Sequence, residues 1–429
     1  MADLETAASQ PMARSPFAWP DFRALFITTA SATFASRALA VVMGYKVYEL
    51  TRQPFALGML GLVEAIPALS LALYGGHIAD RRERRSILRV TLASLVVCSA
   101  SLATLEALDV GRWELTLLYA IVFIAGIARG FAEPAAGALE AQVVPRALLV
   151  NSSTLMASCW LSAAVAGPLV AGIVYAKLGA IAAFGGIAIL YGIAWVAVHF
   201  LTPKPVPIAP AGESIWQSVA VGVRYVLGDQ ILLGSMALDL FAVLFGGAIA
   251  LLPVFAKDIL HVGPVELGML NAAPTSGALF TMLIATRYPP IRHAGRNLLV
   301  AVAGFGIAMI VFALSTSLWL SIVALFISGV CDGVSVVIRR AIMRLMSPDH
   351  LRGRIAAVGM IFIGSSNELG AFESGVAASL VGTARSVWIG AIVTLMIVAG
   401  AAISAPKLRR LDLTKEVGPN RREDNDSLA

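Results

Sequence analysis

The chain has 429 residues, 58% of them hydrophobic and only 14% charged, with a mean hydropathy of +0.83. Soluble domains carry about 25% charged residues, so apolar surface on this scale needs lipid as its solvent and leaves no room for a sizeable soluble domain. The net charge of +6 does not point to nucleic acid, because the arginines fall in short bursts between apolar runs and not along one polar face.

Residues 1–23 form a polar, proline-punctuated tail without the basic start, short apolar core and small-residue cleavage site of a signal peptide. The first apolar run is therefore expected to stay as a span. Crossing the hydrocarbon core takes roughly 20 apolar residues in a helix, and helices keep their backbone groups paired within one segment. Six spans are placed near 24–50, 55–78, 87–108, 114–138, 150–176 and 180–201, making an N-terminal half over 24–201. Residues 202–229 follow as a linker, because Pro203, Pro205, Pro207 and Pro210 cannot continue a helix. Within it, Ile215, Val219, Val223 and Val226 share one helical face, which fits either an amphipathic helix on the membrane surface or an ordinary loop helix. Six more spans, near 230–255, 265–286, 297–315, 317–342, 355–381 and 386–405, make a C-terminal half over 230–405, followed by a short charged tail over 406–429.

Basic residues set the orientation. Only Lys46, Arg52, Arg112, Lys177, Lys257 and Arg385 are assigned to outside loops, and Arg37 and Arg129 stay within spans. The remainder cluster on the side of the N-terminus, so an even number of spans with both termini cytoplasmic is expected. The halves also repeat one another. Leu57-Gly58-Met59-Leu60 recurs as Leu267-Gly268-Met269-Leu270, Gly126 and Gly130 match Gly329 and Gly333, and Gly167 and Gly172 match Gly370 and Gly375. The expected fold is therefore an all-α integral membrane protein of twelve transmembrane helices, in two six-helix halves related by a parallel pseudo-two-fold repeat.

Charges inside spans are costly and usually face a cavity or a partner. Arg37, Glu64, Arg129 and Glu133 stand in the first half, and Asp239, Asp332, Glu368 and Glu373 in the second. Arg129 and Glu133 are four residues apart and can neutralise each other. Glu64 has no basic neighbour on its own helix, which makes it the first candidate for carrying a proton. Glu373 and Asp239 follow, each with the alternative of pairing with Arg37 or Arg129. Asn271 and Asn367 are candidate hydrogen-bonding groups of a cavity, and Met43, Met156 and Phe241 candidate apolar contacts. Cys98, Cys159 and Cys331 make no disulfide framework. No phosphate-binding loop, metal-ligand spacing or nucleophile elbow is present, so no enzyme, metal or cofactor is expected.

Between the second and third spans lies Gly76-His77-Ile78-Ala79-Asp80-Arg81-Arg82-Glu83-Arg84-Arg85. Its arginines can anchor the turn to the inner surface, and Asp80 can pair with one of them or cap a helix. The stretch matches Gly-x-x-x-Asp-Arg-x-Gly-Arg-Arg through Gly76, Asp80, Arg81, Arg84 and Arg85, and the chain resembles the major facilitator superfamily over essentially its whole length. Glu83 replaces the expected second glycine, which resembles the branch of macrolide-efflux and enterobactin-export proteins. The second half keeps only a degenerate copy, with Arg287, Arg292 and Arg296 but no aspartate. Gly167, Pro168 and Gly172 in span five resemble the family's antiporter motif.

The resemblance implies alternating access without an ATPase engine. Spans one, four, seven and ten line a central cavity, and the Asp80 turn latches the halves on the cytoplasmic side. The expected activity is proton-coupled export of an amphiphilic small molecule, a drug or siderophore-like metabolite, from a monomer in the inner (plasma) membrane. The expected partners are membrane lipid and the substrate, with the proton gradient as energy source. A metabolite importer or uniporter is the alternative, and a non-transporting receptor or scaffold the third reading.

Overall fold

Each long apolar run becomes a helix in the computed structural model, which describes residues 15–108, 110–204, 215–246, 248–348 and 351–414. The ends of both tails (1–14 and 415–429) and the proline-rich part of the linker (205–214) lie outside the described residues. The first four spans are α1 (Pro20–Thr51), α2 (Pro54–Ala79), α3 (Arg84–Ala107) and α4 (Glu114–Glu140). The helical run Leu149–Val198 is broken only at Gly179, giving α5 (149–178) and α6 (180–198). In the second half, α7 (Gln230–Gly246) continues irregularly through a 3-10 turn, Ala248–Leu251, to a π turn, Phe255–Ile259. The remaining spans are α8 (Pro264–Arg287), α9 (Ala294–Leu314), α10 (Leu318–Met346), α11 (Arg352–Val381) and α12 (Thr383–Ser404). The chain is thus an all-α integral membrane protein with six spans on each side of the linker. Side chains such as Val90, Ile189 and Ile403 stay exposed on the outer surface, where lipid is their solvent.

Local chemistry accounts for the boundaries. Pro20, Pro54 and Pro264 occupy first helical positions, where a missing N–H costs nothing. Gly179 (φ 81°, ψ 178°) separates α5 from α6, and Gly382 (φ 93°, ψ 149°) separates α11 from α12. That backbone region is open essentially to glycine alone. Both halves therefore turn between their fifth and sixth spans on a single glycine.

The end carrying residues 80–83, the linker and the described ends of the tails is called here the terminal end, and the opposite one the far end. The repeated glycines mark crossings built once in each half. Gly126 and Gly130 of α4 meet Glu64, Pro67 and Ala68 of α2, while Gly329 and Gly333 of α10 meet Pro274, Ala278 and Thr281 of α8. Two further crossings join the halves. A Cβ on Gly375 would lie 2.7 Å from the Cα of Gly58, seating α11 on α2. A Cβ on Gly268 would lie 2.5 Å from the Pro168 carbonyl oxygen, seating α8 on α5. Both contacts sit toward the far end. Nearer the terminal end, Gly75 still seats α2 on α4, where its Cβ would lie 2.4 Å from the Gly130 carbonyl oxygen, whereas a Cβ on Gly76 would meet nothing within 4 Å.

The segments flanking the halves pack against the C-terminal half. The linker helix Ile215–Gly228 docks on the protein through its second half. Gly222 lies against the backbone of Arg354, and Val226 is buried with Met236, Leu351, Ile355 and Val358. The described start of the C-terminal tail is more than charged: Leu408 and Leu413 are fully buried, and the Gly295 N–H donates to the Leu411 carbonyl at 3.2 Å.

Candidate functional site

At the terminal end, Arg84 and Arg85 act on helix ends. Arg84 donates from Nε to the Ala79 carbonyl (3.2 Å) and from Nη1 to the Ala138 carbonyl (3.1 Å). Arg85 donates to the carbonyls of Val198 (3.4 Å) and His199 (2.6 Å). These carbonyls close α2, α4 and α6, where the last turn lacks intrahelical donors and cations are favoured. The pair stitches three helices of one half together, a more specific role than surface anchoring. Asp80 pairs with Arg84 at 3.6 Å within its own turn. That pair does not bridge the halves in this conformation. Asp80, Arg81 and Arg82 are exposed.

At mid-height the first half assembles a charged cluster. Arg129 of α4 pairs with Glu64 of α2 and donates to Ser36 of α1, and Ser36 is also hydrogen-bonded to the buried Tyr191 of α6. Glu64 therefore does have a basic partner, supplied by another helix, and Arg129 chooses it over Glu133. Arg37 of α1 stacks on Trp160 of α5, with its guanidinium carbon 4.9 Å from the ring centroid. The charges of Arg129, Glu133 and Glu368 all reach it. Glu368 comes from α11 in the other half, and its carboxylate lies 3.7 Å from where a Gly61 Cβ would stand.

The second half has its own cluster. Arg339 of α10 forms a nearly buried pair with Asp239 of α7 and reaches Asp332 at 3.7 Å. Asp239 thus takes neither Arg37 nor Arg129. Arg339 was not singled out in the sequence, although its seven-residue spacing from Asp332 puts both on one helix face. Asn271 turns back to its own Leu267 carbonyl at 2.9 Å, while Asn367 is exposed and Glu373 is hydrogen-bonded to the adjacent Ser374. Met43 and Met156 are buried in packing, and Phe241 stacks on Phe245.

The far end holds a group that sequence inspection missed. Lys257 pairs with Glu49 at 3.0 Å and lies over the Tyr45 ring at 4.6 Å. Arg52 pairs with Asp258 at 3.3 Å, and the Tyr48 hydroxyl donates to the same carboxylate. Every one of these contacts joins α1 to the end of α7, hence one half to the other. Tyr48 and Asp258 stand 210 residues apart, the same shift that relates Leu57-Gly58 to Leu267-Gly268, so equivalent positions of the repeat meet. Lys46, assigned to a loop from sequence, is instead buried in α1 with Glu106 (2.6 Å) and Glu114 (3.0 Å).

Two six-helix bundles that meet at a closed far end, with charged groups facing each other at mid-height, define a multi-pass membrane transporter. Residues 11–426 match the family of transmembrane secretion effectors, and the chain belongs to that family within the major facilitator superfamily. It is 23% identical over 397 residues to the enterobactin exporter EntS of Shigella boydii serotype 18, covering 88% of this chain and 92% of that one. The EntS of Escherichia coli O1:K1 / APEC matches to the same extent. Among solved structures, a POT family transporter in complex with 5-aminolevulinic acid superposes with a TM-score of 0.73 at 11% identity, over 90% of this chain and 96% of that one. A bacterial homologue of the human lysosomal transporter Spinster, inward-facing and unoccupied, gives 0.71 at 13% identity, over 93% and 98%.

Proposed function

We propose that this protein exports an amphiphilic small molecule across the inner (plasma) membrane by alternating access, with both termini and the 76–85 turn in the cytoplasm. The observation that carries this reading is the far-end gate, in which Glu49–Lys257 and Arg52–Asp258 tie the halves at one end of the pathway. In that orientation the far end is extracellular, and the conformation is the one that loads substrate from the cytoplasm. The similarity to enterobactin exporters supports the outward direction.

We assign proton coupling to Glu368. Glu64 and Asp239 are each held by an arginine, whereas Glu368 makes no ion pair among the described residues and faces Arg37 and Arg129 across the junction of the halves. Its protonation removes an attraction that spans the two halves, and so shifts their relative stability.

Efflux tests the reading. Cells lacking their own efflux pumps gain resistance to at least one amphiphilic compound when they express this protein, and collapsing the proton gradient abolishes the gain. Undiminished efflux in energised vesicles without a proton gradient sinks the coupling; normal coupled efflux by Glu368→Gln sinks only the residue assignment.

A further inference from the structure

Most of the charged groups within the spans have a close partner. Arg129 has Glu64 and Ser36, Arg339 has Asp239 and Asp332, and Lys46 has Glu106 and Glu114. Arg37 differs. It stands midway along α1, is exposed, and forms neither an ion pair nor a hydrogen bond through its side chain among the described residues. The carboxylates of Glu133 on α4 and Glu368 on α11 balance its charge from a distance, beside the like charge of Arg129. A guanidinium carries five donors in a planar fork that matches a carboxylate or similar anion. An uncommitted one in a membrane span is costly unless something else uses it.

The surroundings also fix its shape. The Arg37 Cβ lies 3.0 Å from where a Gly167 Cβ would stand, so the stem rests on the bare backbone of α5. Two helical turns earlier on α5, Trp160 supports the guanidinium face and is itself 44% exposed. The guanidinium N–H groups have no hydrogen-bond partner among the described residues, and the indole beside them is partly exposed. One flat ligand can reach both, its anionic group on Arg37 and its ring on Trp160.

We propose that Arg37 and Trp160 form the recognition element for an organic anion with a flat aromatic body, entered from the terminal end. The inference rests on the transport reading above and names its substrate class. Gly167, the first residue of the antiporter-like motif, then has a second use: it lets α5 come close enough to hold the arginine in place.

The test uses the full-length protein in lipid nanodiscs and three naphthalene probes of one shape. Tritiated 1-naphthoate binds saturably, and unlabelled 1-naphthylmethanol competes at least about tenfold more weakly because it offers no charged acceptor. 1-Naphthylmethylamine does not compete. Arg37→Gln loses about tenfold or more in naphthoate affinity, and Arg37→Lys, which keeps the charge but not the fork, falls between. Trp160→Leu loses about threefold or more. Absence of saturable naphthoate binding overturns the proposal, as does equal competition by the alcohol, or full affinity in an Arg37→Gln protein that stays monodisperse. Efflux of neutral or cationic compounds with no preference for the anion would leave the transport reading standing and remove this site. Failure to move any of the three classes would remove the transport reading itself.

Discussion

Replacing Lys257 with glutamine removes the main electrostatic tie of the far-end gate. The Lys257–Glu49 pair is partly wet, with Glu49 43% exposed, so its loss is worth only about 0.5–1 kcal/mol. Losing the cation over Tyr45 removes about 0.5–1 kcal/mol more. Both contacts join α1 to α7, and neither survives separation of the two helices. The substitution therefore weakens the far-closed conformation by about 1–2 kcal/mol relative to the far-open one, a factor of about 5–30 in their ratio. Spin labels on cysteines introduced at Leu178 and Trp319 read that ratio, because both positions are exposed at the far end on opposite halves. The native cysteines Cys98, Cys159 and Cys331 are replaced first. The long-distance population is expected to grow in Lys257→Gln. Adding Glu49→Gln to that variant is expected to change little more, since the pair is already broken. An unchanged distance distribution, or full additivity of the two substitutions, would refute the gate.

Gly375→Val forces side-chain atoms into the backbone of α2 and is expected to cost about 1–3 kcal/mol of far-end closure, seen as a larger long-distance population with the same labels. Gly76→Ala meets nothing here, so its melting temperature in detergent is expected to stay at wild type, and efflux is expected to slow only if the turn closes as a latch in the terminal-closed conformation. Arg339→Met strands the buried carboxylate of Asp239 and is expected to cost about 3–5 kcal/mol of stability, measured by thermal unfolding, with part recovered by adding Asp239→Asn. Gly382→Ala and Gly179→Ala force alanine into a glycine-only region and are expected to lose about 1–3 kcal/mol each in the same assay.

The family was legible in the 76–85 stretch, and the helical content in the apolar runs. Which charges belong together was not legible. Glu64 looked unpartnered because pairing on one helix is readable at spacings of three and four, whereas its partner Arg129 arrives from α4. The same limit hid Arg37 on Trp160, since α1 and α5 meet only after the bundle closes. Arg339 lies inside α10, which runs to Met346, and its partner Asp239 arrives from α7, so the pair could not be read along one helix.

Sequence alone determined the solvent and the helical spans, because each depends on local composition along the chain. The glycines of the repeat were visible as letters, and the structure showed what they do: they let backbones touch where α2 meets α4 and α11, and where α8 meets α10 and α5. Only the tertiary structure decided the state of the molecule. Closure of the far end depends on Glu49, Arg52, Lys257 and Asp258 meeting across the two halves, and no local rule brings together residues about 210 positions apart.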